Sequence, residues 1–223
     1  MSAPAPHVVP LFATPFGLAT LPEAHSLNPE LHALFAARAS AKWRDPLIGA
    51  GPLTFRSRDD LAAWSEEPVQ QALRGILAGV TSVAASISDL TAEQFASFRI
   101  EARAWFTIVG PDGCVAPTSY PNTSWLAVYC VAAPEPAKER FDSGMLRMHE
   151  SRPGTMFQDA TASGIRVPYR PGHYTWRPVP GQMAVFPAAI THEIALVRAS
   201  GALVLITARV RYIASDLSWM PPW

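Results

Sequence analysis

The period of the apolar residues changes once along this chain, near residue 97, and that change restricts the fold more than any other feature. Before it, apolar residues recur at helical spacing. In "SEEPVQQALRGILAGVTSVAASI" (65–87), Val69, Leu73, Ile76, Leu77, Val80 and Ile87 make one stripe, which predicts a helix with one buried face. Gly75 and Gly79 weaken such a helix by about 1 kcal/mol each against alanine; close packing on a sheet would account for both. "LNPELHALFAARASAKW" (27–43) predicts an earlier helix, with Asn28 capping the first amides and Pro29 at the first helical position. "GAGPLTFRSRDDLAAW" reads as a loop leading into a helical turn. The proline-rich "VVPLFATPFGLATL" reads as an edge strand or an extended arm.

After residue 97 the period is two. In "FRIEARAWFTIV" (98–109), Phe98, Ile100, Ala102, Ala104, Phe106 and Ile108 alternate with Arg99, Glu101, Arg103 and Thr107, which predicts a strand with one buried face. "SWLAVYCV", "SGMLRMHE", "GQMAVFPA" and "GALVLITARVRYI" follow as strands separated by Pro- and Gly-rich loops. Helices followed by a run of strands is an α+β pattern built on one β-sandwich or barrel. One domain is expected over 1–223, with a helical part at about 26–96 and a β core at about 97–214.

Composition narrows the function classes. Hydrophobic residues make up 49% of the 223 residues and charged ones 16%, so a sizeable core is expected rather than disorder. Eighteen basic residues balance eighteen acidic ones, which argues against a nucleic-acid partner. Cys114 and Cys130 lack metal-finger or CxxC spacing and fit a reduced protein. No apolar run reaches the roughly 20 residues that span a bilayer. The start has no basic segment and its apolar run is broken by prolines, so no export signal is expected; the sequon Asn122-Thr123-Ser124 is read as chance, and the expected location is the cytoplasm.

Four landmarks stand in order in the second half: "TSYPNTSWLAVYCV", "GMLRMHESRPG", "PVPGQMAVFPAAITHEI" and "GALVLITARV". With "LFATPF", "LNPEL", "DDLAAW" and "EPVQQAL" before them, they resemble the small bacterial 2-oxoglutarate/iron(II)-dependent oxygenases over most of the chain. That resemblance implies a double-stranded β-helix (jelly roll, cupin-like) flanked by N-terminal helices. It also implies iron(II) held on one face by two histidines and a carboxylate, or by three histidines, leaving the other face open. An arginine on the closing strand would hold the 2-oxoglutarate carboxylate.

This chain departs from the pattern. The resemblance puts His192 at the distal ligand position, but Thr118 and Tyr120 at the other two and Leu203 at the arginine position. These four residues are expected to line a vestigial pocket, with His192 the single surviving metal ligand. Tyr120 could also plug that pocket with its ring, and a lone histidine also serves structural roles. Tyr129, Trp125, Arg152 and Arg209 are candidate substrate contacts. Arg209 and Arg211 share the alternation face of Leu203.

Three readings follow. The first is a pseudo-oxygenase that binds a small molecule, a peptide or a partner protein, with no cofactor. The second is an active oxygenase using iron(II) and 2-oxoglutarate, with His192 joined by His149, His173, Asp112 or Glu193. His149 and Glu150, adjacent on a strand, cannot both face inward. The third is an assembly subunit, in like or unlike chains, that uses the sheet and the tail "DLSWMPPW" as surfaces.

Overall fold

The apolar stripe of 65–87 becomes a helix because its buried residues recur every three or four positions. In the computed structural model, which describes residues 10–11, 13–46, 51–135, 139–151, 164–166, 169 and 172–214, helix α2 spans Glu67–Ser86 with Pro68 in its first turn. Val69, Ala72, Leu73, Ile76, Val80 and Ala84 are its buried residues. Ile87, expected in the stripe, lies at the C-cap and is 58% exposed. Both glycines of α2 mark close approach. A Cβ on Gly79 would come within 2.8 Å of Met183 Sδ, and one on Gly75 within 2.9 Å of Leu21 Cγ. Fully burying a side chain such as Ile76 contributes roughly 1.5–3 kcal/mol.

Helix α1 spans Ala24–Arg38, so it begins before the expected start. Asn28 is not a cap: it is a buried interior residue whose Oδ1 accepts a 2.6 Å hydrogen bond from the Tyr129 hydroxyl. That bond and the burial of Leu27 hold the extra turn in place, although Pro29 removes one helical donor. Phe35 of α1 stacks on Phe106 at 4.3 Å. At the end of α1, Arg38 pairs with Glu66 and lies 4.2 Å from the Trp64 ring centroid. A third helix, α3 (Ala92–Ser97), carries a capping box between Thr91 and Gln94 that the hydrophobic pattern did not reveal.

Among the described residues, ten strands form two antiparallel sheets. In chain order they are β1 (Gly17–Thr20), β2 (Thr54–Arg56), β3 (Arg99–Val109), β4 (Val115–Thr118), β5 (Trp125–Ala132), β6 (Leu146–His149), β7 (His173–Trp176), β8 (Gln182–Pro187), β9 (His192–Ile194) and β10 (Leu203–Ile213). The larger sheet runs β1-β8-β5-β10-β3-β2 and the smaller β4-β9-β6-β7. The edge strand read near the N-terminus is β1. The loop expected at "GAGPLTFRSR" contains β2, and His173 and Tyr174 lie within β7. Arg152, Asp159 and the tail 216–223 lie outside the described residues.

The larger sheet is the middle of three layers, which corrects the expectation of one buried face for β3. Ala104 and Phe106 pack toward the helices, while Trp105 and Val109 pack toward the smaller sheet. The same alternation divides β10: Val204, Ile206, Ala208 and Val210 join the helix-side core, and Leu203 and Leu205 the barrel core. On β5, Ala127, Tyr129 and Val131 face the helices and Leu126, Val128 and Cys130 the barrel.

Burial pushes the Tyr129 hydroxyl up to about 12, so it remains a donor to Asn28 across the accessible pH range. Tyr129→Phe is expected to destabilise the fold by about 1–2 kcal/mol, because it strands a buried amide oxygen under α1. Urea unfolding checks this; an unchanged midpoint would show that the bond contributes nothing.

Candidate functional site

Strand β4 ends at Thr118, and its register places Thr118 opposite His192 at the start of β9. His192 in turn pairs with Met148 on β6. Beyond β4 the chain turns back, with the Tyr120 amide donating to Ala188 O at 2.8 Å. The Tyr120 ring is thereby set 6.0 Å from the His192 ring and 5.5 Å from Trp105. Arg209 lies over that ring, 4.8 Å from its centroid, and its Nε donates to Thr123 Oγ1 at 3.3 Å.

Thr118, Tyr120 and His192 border one cavity of about 560 Å³ between the two sheets. Tyr120 therefore does not fill the space. Deeper in, Trp105, Thr107, Leu205 and Thr207 form its wall from β3 and β10, and Arg56 contributes from β2. Leu203 does not reach this cavity. It is 1% exposed in the barrel core, near Gly144 and Val197, because the cavity opens along β10 only from Leu205 onward.

His192 is 6% exposed. Its Nδ1 sits 2.9 Å from Ile190 O, and a carbonyl only accepts, so Nδ1 carries the proton and Nε2 keeps its lone pair. Burial is the main cause lowering the His192 pKa below 6.5; the nearby His149 adds to this and the Ile190 carbonyl opposes it. At neutral pH the site thus holds an uncharged imidazole. Burial likewise lowers the Arg209 pKa from its ordinary value.

Other expected site residues lie elsewhere. Trp125 and Tyr129 are corrected as substrate contacts: they project to the helix side of the larger sheet, away from the cavity. Arg211 is held by Glu101 at 2.7 Å, which also lowers the Glu101 pKa. His149 and His173 are cross-strand partners, with His149 Nε2 3.7 Å from Glu193 Oε1. Alternation puts all three on the outer face of the smaller sheet, since Met148 and His192 point inward. They cannot join His192 at one centre. Asp112 borders the cavity, but its carboxylate pairs with Arg198 at 2.7 Å. Among the described residues, no three His, Cys, Asp or Glu side chains cluster as a metal site. The two cysteines are free, and burial pushes the Cys130 thiol up to about 12.

Sequence reasoning missed Arg56, Thr107 and Thr207. Alternation on β3 places Thr107 on the face opposite Phe106 and Ile108, and the register of β10 places Thr207 on that same face. Only the second sheet makes that face an interior.

Because the folded-state pKa of His192 is depressed, the unfolded chain binds this proton first as pH falls below about 6.5. Stability should therefore drop as pH falls from 6.5 toward the folded-state value, and be unaffected by this group above 6.5. His192→Gln should lose less stability than the parent between pH 7.5 and 5.5. Urea unfolding at both pH values checks this, and equal losses would contradict the buried neutral imidazole.

No protein-family model and no curated protein matches the sequence. Solved structures do align. A Pseudomonas putida prolyl-4-hydroxylase shares 17% identity at a TM-score of 0.56, covering 89% of this chain and 92% of that one. The non-heme alpha-ketoglutarate-dependent carbocyclase SnoK from nogalamycin biosynthesis shares 11% at 0.61, covering 92% and 81%. HygX from Streptomyces hygroscopicus, solved with nickel and 2-oxoglutarate bound, shares 13% at 0.54, covering 92% and 84%. At these identities the likeness is one of fold. With its two antiparallel sheets and N-terminal helices, the chain has the double-stranded β-helix fold of the 2-oxoglutarate/iron(II)-dependent oxygenases.

Proposed function

We propose that this chain is a non-catalytic member of the oxygenase fold that uses its barrel cavity to bind a small organic molecule. The observation that carries this reading is the pairing of Thr118 with His192 at the mouth of a cavity that stays open at about 560 Å³. One neutral imidazole and two hydroxyls do not fit iron(II), which takes imidazole and carboxylate donors on one face. A threonine hydroxyl does not ionise to become such a donor, and a tyrosinate suits ferric iron better. No step through iron or 2-oxoglutarate is derived for this chain. The cavity is lined mainly by apolar side chains with a few polar groups, as small-molecule sites are.

Against an active enzyme with relocated ligands stands the position of His149, His173 and Glu193 on the outer face of the smaller sheet. Binding of a peptide or a protein partner is the next reading, and an unresponsive cavity would favour it.

The purified protein, without a histidine tag, should bind iron(II) weakly or not at all. Metal analysis and iron(II) titration check this. Stoichiometric iron that disappears in His192→Ala would overturn the reading and restore an oxygenase. Calorimetry should likewise detect no 2-oxoglutarate binding. The cavity wall offers one cation among the described residues, Arg56, so one carboxylate of the pair would be buried without a cation, which costs several kcal/mol. Micromolar affinity would mean that another arginine has taken over.

A further inference from the structure

We propose that the cavity binds a monocarboxylate with an apolar body, and that Arg56 on β2, not a residue of the closing strand, holds the carboxylate. This deepens the cavity-binding reading and rests on it. Arg56 is 8% exposed, yet it borders the cavity. It is the one arginine or lysine on the cavity wall among the described residues. Its guanidinium lies over the Trp105 ring, 4.2 Å from the centroid, which fixes the plane of the fork.

The donors of Arg56 are divided. Nη1 donates to Asp45, while Nε and Nη2 make no hydrogen bond among the described residues. Nor are they sealed in protein: the single enclosed, unpartnered side-chain nitrogen or oxygen among the described residues is His149 Nε2. The ion pair with Asp45 thus anchors one edge of the fork and leaves the other for a ligand.

The neighbours complete a carboxylate site. Thr107 is the cross-strand partner of Arg56, and Thr207 is that of Trp105. Both threonines are buried, 5% and 7% exposed, and both border the cavity. Neither hydroxyl is hydrogen-bonded within the protein among the described residues. A guanidinium edge beside two hydroxyls matches the acceptor geometry of one carboxylate. A second carboxylate would meet Leu146, Ile194, Leu205 and Val128 instead, so the remainder of the ligand is apolar. Toward the mouth, Thr118, Tyr120 and the unprotonated Nε2 of His192 suit a neutral polar substituent.

The test uses phenylacetate and its neutral isostere phenylacetamide, with affinities from calorimetry and contacts from methyl and amide NMR shifts. Phenylacetate should bind about tenfold or more tightly than phenylacetamide, and Arg56→Gln should abolish that preference. Arg56→Gln also breaks a buried ion pair and could unfold the chain. The paired Thr107→Val and Thr207→Val changes keep the ion pair, and should reduce the preference about threefold or more. Equal affinity for the two probes, with shifts at Leu205 and Thr207, would overturn the carboxylate site and leave the cavity reading standing. A preference that survives Arg56→Gln would overturn it too, by placing the anion elsewhere. Absence of any shift at the cavity with either probe would defeat both readings.

Discussion

The eleven-residue ladder between β3 and β10 is the interaction on which the rest of the structure depends. Its register runs from Leu203 opposite Val109 to Ile213 opposite Arg99. Side chains alternate across it, so the same two strands seat the helices on one face and wall the cavity on the other. A slip of β10 by one residue would send Ile206 into the barrel and Thr207 under the helices. The stacking of Phe35 on Phe106 and the seating of α2 against Met183 hold the register from the helix side.

The candidate site follows from that ladder combined with the β4–β9 pairing. The mouth of the cavity carries the hydroxyls of Thr118 and Tyr120 and the neutral imidazole of His192, which tolerate a dry interior without a counter-ion. The one arginine or lysine on the cavity wall among the described residues, Arg56, enters from an edge strand paired with Asp45.

Much of this was legible in the chain. The 3.6-residue period located α2, and its glycines pointed to close packing, which the structure places against Leu21 and Met183. The ordered landmarks located β5, β8, β9 and β10 and set Thr118, Tyr120 and His192 together. Other features were not legible because they depend on partners distant in sequence. Asn28 looks like a helix cap until Tyr129, 101 residues away, takes its side chain. β2 is too short to show a period and exists because β3 offers an edge. Tyr129 and Trp125 look like pocket aromatics until the parity of β5 is known.

What the sequence determined by itself is local: the helical stripe and the alternation of the strands. These depend on periods of two and 3.6 and on side-chain chemistry, which need no knowledge of neighbours. What only the tertiary structure decided is which face of each strand is interior. Alternation defines two faces but does not say which of them a second layer covers, and on β3, β5 and β10 both are covered. That second covering places Arg56, Thr107 and Thr207 on one cavity wall. It also keeps Leu203 in the packed core and leaves His149 and His173 outside.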